Sequence, residues 1–171
     1  MKYLAILFFV LFTLVALVFW QLRMFDQERC DYIETLASNP RVVTYIDQWA
    51  MENVVDKNFY FVAGMGIDGN IAAHRNNDEK IHYVPLPDNK ITGIEDRYFR
   101  FSIEKYVSGH HDPIVSSNVH SMYFGRGRDH IIITKNGHTL TSYRGHDMKS
   151  QKLKIIGPSV YAYCSSGRFR M

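Results

Sequence analysis

Apolar residues follow three different rhythms along this chain, and each rhythm predicts a different element. The first is continuous. The run that opens at Leu4 and closes at Leu22 holds 19 residues without a charge, between Lys2 and Arg23. As a helix it reaches about 28 Å, close to the roughly 30 Å hydrocarbon thickness of a bilayer. Its end carries bulky Trp20 where a cleaved leader would carry small residues, so an uncleaved anchor is preferred to a signal peptide. The second rhythm has steps of three and four. Phe25, Tyr32, Ile33 and Leu36 carry the helix outward, and Ser38-Asn39-Pro40 supplies a stop and a new start, with a cap and a proline at the first helical position. Val43, Ile46, Trp49, Ala50, Val54 and Val55 then stripe a second helix, which needs a sheet to cover it.

From Lys57 the period becomes two. Residues 58–67 read as a strand, Asp68-Gly69 as a tight turn, and residues 70–75 as the returning strand. Pairing through that turn puts Phe59, Phe61, Ala63, Met65, Ala72 and His74 on one face, and Tyr60, Val62, Gly64, Ile71, Ala73 and Arg75 on the other. Residues 81–86, with Pro85 and Pro87, suit a sheet edge or a loop. Residues 94–107 alternate as a strand, with a helix striped by Phe99, Ile103 and Tyr106 as the alternative, and 109–117 form a polar loop. Residues 129–135 and 138–144 flank Asn136-Gly137 and read as a hairpin that sets His130 opposite Tyr143. Residues 152–156 and 159–164 add further strands. The predicted fold class is α+β: an N-terminal transmembrane helix (1–23), a helical segment (24–56) and a β-rich part (57–171), with two helices packed on an antiparallel sheet.

Composition narrows the class. With 171 residues, 46% hydrophobic and 22% charged, the chain is one domain plus an appendage, and disordered, collagenous and disulfide-dense scaffolds are excluded. Residues 24–119 carry 9 basic and 15 acidic side chains, whereas residues 120–171 carry 9 basic and 2 acidic. The two parts either face each other within the fold, or Arg126, Arg128, Arg144, Lys149, Lys152, Lys154, Arg168 and Arg170 form a surface for anionic headgroups or an acidic partner. Of these, Lys149, Lys152 and Lys154 are the basic patch to test. A short amino tail held in the cytoplasm places the domain outside, on the periplasmic side of the cytoplasmic (inner) membrane, where nucleic acid is not an expected partner. In such an oxidising compartment Cys30 and Cys164 can close one long loop; two independent thiols are the alternative.

No catalytic set can be assembled. Gly64, Gly66 and Gly69 spell G-x-G-x-x-G, but Asn76-Asn77-Asp78 leaves no room for the helix that a pyrophosphate requires. Among the histidines, His130 and His138 fall on opposite faces of the expected hairpin, which disfavours a metal centre there. His110, His111 and His120 are the alternative metal ligands, and with them a metal-dependent or hydrolytic enzyme is the alternative function. No serine sits in a nucleophile elbow and no cofactor is expected.

The run Leu36-Ala37-Ser38-Asn39-Pro40-Arg41-Val42, then a helix, Phe59-Tyr60-Phe61-Val62, Asp68-Gly69-Asn70-Ile71 and Ala73-His74-Arg75-Asn76 resembles the opening of Cache and PAS-like extracytoplasmic sensor domains. The likeness spans about 40 of the 171 residues, and the chain departs from a complete receptor in having no second span and no cytoplasmic signalling module. The resemblance implies a sensor-like or accessory binding domain without catalytic activity. It also implies a small anionic ligand against the sheet, with His74, Arg75, Arg100, His130 and Tyr143 as donors; a membrane-protein partner is the other occupant to consider.

Overall fold

The structure, a computed structural model, describes residues 2–57, 59–67, 69–75, 79–105, 119–135, 137–165 and 167–169. Helix α1 (Lys2–Ala37) is continuous for 36 residues. It is the one helix among the described residues long and apolar enough to cross a membrane, and none of those residues buries its most apolar stretch. Its outer portion turns Cys30, Ile33 and Ala37 into the core. The helix stops where expected. Asn39 caps α2 (Pro40–Ala50), its side chain accepting from the Arg41 N–H at 3.0 Å, and Pro40 opens the helix without leaving a donor unsatisfied. A π-helical turn at Met51–Val55 continues the stripe, whose Ile46, Trp49, Ala50, Val54 and Val55 are buried as expected, while at its start Val42 is buried and the expected Val43 only half-buried.

That stripe lies on one face of an eight-stranded antiparallel sheet, ordered β3-β2-β1-β4-β5-β6-β10-β9. The strands are β1 (Phe59–Ile67), β2 (Asn70–Arg75), β3 (His82–Pro85), β4 (Phe99–Lys105), β5 (Val119–Arg126), β6 (Asp129–Thr134), β9 (Leu153–Gly157) and β10 (Val160–Tyr163). A separate two-stranded ribbon, β7 (Ser142–Tyr143) with β8 (His146–Asp147), precedes β9 in the chain. Trp49 packs edge-on against Phe99 and Phe101 at 5.5 Å each, and its indole N–H donates to the Pro85 carbonyl at 3.1 Å. Period two along β4 thus delivers Phe99, Phe101 and Ile103 to the helices and turns Arg100 away. The α+β architecture, with α1 and α2 on an antiparallel sheet, is as expected, and so are the β1–β2 hairpin and the edge position of β3.

Two expectations are corrected. Phe61 and Ala63 share a face with His74 and Ala72 as expected, but the register shifts between Ala63 and Ile67, so that Phe61 opposes His74 and Ala63 opposes Ala72, and a bulge between Phe59 and Phe61 moves Phe59 to the helix-side core. The hairpin 129–144 does not form as a pair of sheet neighbours. Strand β6 is already hydrogen-bonded on both sides, to β5 through the Gly127-Arg128 turn and to β10. The chain turns after Lys135, where the His138 N–H donates to the Lys135 carbonyl at 3.0 Å, and leaves the sheet. Strand β5, which no sequence pattern predicted, carries Gly125 because a Cβ there would strike the Asp129 carbonyl.

The outer part of α1 is fastened to the sheet by side chains from both ends of the sequence. Cys30 and Cys164 form a disulfide with Cα atoms 5.4 Å apart, closing a separation of 134 residues. Beside it Arg29 pairs with buried Asp129 at 2.5 Å, while the other Asp129 oxygen accepts from the Ser165 N–H and hydroxyl at 2.9 and 2.8 Å. Lys154 pairs with Glu34 at 2.6 Å and Lys135 with Asp47 at 2.5 Å. The two oppositely charged parts of the chain therefore meet inside the fold along the helix–sheet seam.

Candidate functional site

On the sheet face turned away from the helices, the register aligns two rows. One runs Ala63, Arg100, Gly125, His130, Tyr163, Leu153, and the next runs His74, Phe61, Ser102, Tyr123, Ile132, Tyr161. The segment that leaves β6 folds back over part of this face. Leu140, Tyr143 and Met148 pack there on Tyr123, Ile132, Leu153, Tyr161 and Tyr163, forming a second, smaller core. Tyr143 stacks on Tyr123 at 5.0 Å and meets Tyr163 edge-on at 4.9 Å. The Leu140 N–H is held by the Tyr161 hydroxyl at 3.2 Å.

A cleft of about 610 Å³ lies between the overlying segment and the sheet, lined by Ser102, Tyr123, His138, Thr139, Leu140, Thr141, Ser142, Tyr143 and Arg144. At its rim the β7–β8 turn has positive φ at both central residues, 49° at Arg144 and 74° at Gly145. A primed turn suits Asn-Gly or Gly-Gly; an arginine in the left-handed region costs of order 1 kcal/mol. The Arg144 Nε donates to the Tyr143 hydroxyl at 3.2 Å, and its guanidinium carbon lies 5.4 Å from that ring. This strained turn holds a cation at the mouth of an aromatic-floored cleft.

Beneath the overlying segment, His130 is only 6% exposed, edge-on to Tyr143 at 6.0 Å and stacked toward Tyr163 at 6.3 Å. Burial, reinforced by the Arg144 charge and opposed by Asp129, lowers its pKa to about 4, so the ring is neutral at ordinary pH. Its Nδ1 has no hydrogen-bond partner among the described residues. A neutral imidazole walled by tyrosines is not a group prepared to carry charge; Arg144 is the charged side chain that lines the cleft.

Of the five residues expected to act as donors, the structure brings His130 and Tyr143 together. Their meeting is through the overlying segment and not as strand partners. Arg100 shares the row of His130 two strands away and is exposed. His74 lies on β2, four strands from β6, which at about 4.8 Å per strand is roughly 19 Å. Arg75 folds back on its own hairpin, donating to the Lys57 carbonyl at 3.0 Å with its guanidinium 4.9 Å from the Phe59 ring. Tyr123, Tyr161, Tyr163 and Leu140 are the site residues that the sequence reading missed, although the alternation of Tyr161 and Tyr163 already placed both on one face. His110 and His111 lie outside the described residues, and His120 sits on β5 with its side chain outside them. No group of three potential metal ligands is present among the described residues. In the basic patch, Lys152 donates to the Ser165 carbonyl at 2.8 Å, Lys154 is the partner of Glu34, and Lys149 is exposed.

Compared with known proteins, the chain matches no family model, no curated protein and no solved structure.

Proposed function

We propose that this chain is a single-pass protein of the cytoplasmic membrane whose carboxyl-terminal domain stands outside the cytoplasm as a sensor-like or accessory binding domain without catalytic activity. The observation that carries the reading is helix α1: its apolar stretch is left uncovered, and the same unbroken helix is stapled through Cys30 into the domain. A disulfide is at home in an oxidising compartment, which supports the outward placement. The likeness of the first hairpin to Cache and PAS-like domains supports the sensor-like part. The cleft beside Arg144 is where the ligand binds. Its aromatic floor and cationic rim suit a small anion carrying an apolar or planar body.

Two measurements test this. Protease added to intact spheroplasts should degrade the domain; survival inside sealed cells overturns the orientation. A thermal-shift screen of the full chain in detergent micelles, with carboxylates, phosphates and divalent metals, should show stabilisation by anions that Arg144→Gln abolishes. Stabilisation by metals alone would replace the binding reading with the histidine-based enzyme. Stabilisation by nothing would point to a protein partner.

A further inference from the structure

The parts of the domain that touch α1 closest to its apolar half define the end that faces the bilayer, and that end is basic. Gly167 passes so near the Asp26 carbonyl and the Cys30 Sγ that a Cβ would have no room. Arg126, at the close of β5, shares a pocket of about 190 Å³ with Phe25, Arg29 and Tyr32. The Cys164 N–H donates to the Lys152 carbonyl and the Phe169 N–H to the Gln151 carbonyl, both at 2.8 Å, which brings the start of β9 to the same end. With a rise of 1.5 Å per residue, Asp26 and Cys30 stand only about 6 and 12 Å beyond Leu22. The turn between β5 and β6, the segment after β10 and the approach to β9 are thus within roughly a Debye length of the headgroups.

Arg23, Arg126, Arg128, Lys149 and Arg168 are all exposed there. Against them stand Asp26, Glu28 and Asp147, while Asp129 is taken up by Arg29 and Ser165 and Glu95, which lies near Tyr32 as Arg126 does, is paired with Arg97. The Arg126 guanidinium lies 4.2 Å over the Tyr98 ring, a stacking that supports one face of the plane and leaves its edge donors for bidentate contacts. Exposed Trp20 and Phe25 bracket Leu22, each within about 5 Å of it along the helix axis, as side chains at an interface do. We infer that Arg126, Arg128 and Arg168, with Arg23 and Lys149 beside them, bind the phosphates of anionic phospholipids in the bilayer that α1 enters, and so press this end of the domain onto the membrane surface. The inference rests on the anchored reading above. It also narrows the expected basic surface to Arg126, Arg128, Lys149 and Arg168 and removes Lys152 and Lys154, which bond the Ser165 carbonyl and Glu34.

The test uses the full chain, extracted in mild detergent with equal amounts of phosphatidylcholine and phosphatidylglycerol and examined by native mass spectrometry for retained lipid. At low salt the retained lipid should be enriched several-fold in phosphatidylglycerol, each surface cation contributing up to about fivefold in attraction to an anionic headgroup. The enrichment should fall at physiological salt and vanish in the Arg126→Gln/Arg128→Gln/Arg168→Gln variant. The Arg41→Gln/Lys57→Gln/Lys90→Gln variant loses the same charge elsewhere and should keep it. Enrichment that is absent in the natural protein, unchanged in the first variant, or lost equally in both variants overturns the inference. Intact disulfide mass and an unchanged melting temperature verify the fold. If the first variant fails that check, Arg168→Gln alone takes its place and must at least halve the enrichment. Flotation with vesicles after carbonate washing separates the two readings: a chain that does not float defeats the anchor itself, whereas one that floats without headgroup preference defeats only this inference.

Discussion

His130 shows how one residue registers a tertiary event that its neighbours in sequence do not announce. Its strand position made it a partner of Ile132 and Thr134 on one face, and that holds; what covers it comes from residues 137–152. Burial leaves its folded pKa at about 4 against an ordinary 6.5. Between those two values the unfolded chain binds the proton and the folded chain does not, so the sign is fixed: stability is complete above about pH 6.5 and is lost as pH falls toward 4. The drop attributable to this group is about 3 kcal/mol. Denaturant melts of the full chain in detergent at pH 7, 6, 5 and 4.5 should show that slope. His130→Phe, which fills the same aromatic box without titrating, should flatten it.

At the scale of elements, the informative join is between α1 and the β5–β6 hairpin. Asp129 satisfies its two oxygens with Arg29 and with the Ser165 N–H and hydroxyl, three bonds on one buried carboxylate. Asp129→Ala removes all three and leaves Arg29 without its counter-ion. Because the Arg29 side chain keeps 41% of its surface in water, the cost is nearer the low end for a broken buried pair, about 2–3 kcal/mol. A shift of the urea midpoint with an unchanged slope would establish it; a change below about 0.5 kcal/mol would show the join to be incidental. Most elements were legible in sequence. The cap at Asn39, the reversal between β1 and β2 and the alternation of β4 are local signals, decided within a few residues. The sequence also predicts a reversal after Lys135, and the chain does turn there, yet its flanks do not pair in the sheet, because a turn states that the chain reverses and says nothing about which strands compete for the edges of β6.

For the whole molecule, the disulfide joins α1 to the residue that follows the last strand, across 134 residues. On the chain-entropy account such a closure contributes about 4–5 kcal/mol. Cys30→Ser/Cys164→Ser should therefore lower the melting temperature by about 10 °C or more. Non-reducing mass analysis of protein taken from membranes should find no free thiol; two free thiols would remove the staple from the description. The charge split of the chain is in part internal to the fold, since Lys154–Glu34 and Lys135–Asp47 join cations of the basic third to acids of the helices, while Arg126, Arg128 and Arg168 remain exposed.

Hydrophobic rhythm by itself determined the apolar span, the two helices, the first hairpin and the α+β class, because each depends on contacts or solvent preferences within some ten to twenty residues. Charge counting and the position of two cysteines went further and pointed to a fold whose ends meet. What only the tertiary structure decided is the site. His130, Tyr143, Tyr163 and Tyr123 converge because β6 is paired on both sides by β5 and β10, which forces residues 137–152 off the sheet and across its face. That outcome is a competition among hydrogen-bonding edges distributed over some 40 residues, and no local pattern in the chain records who wins it.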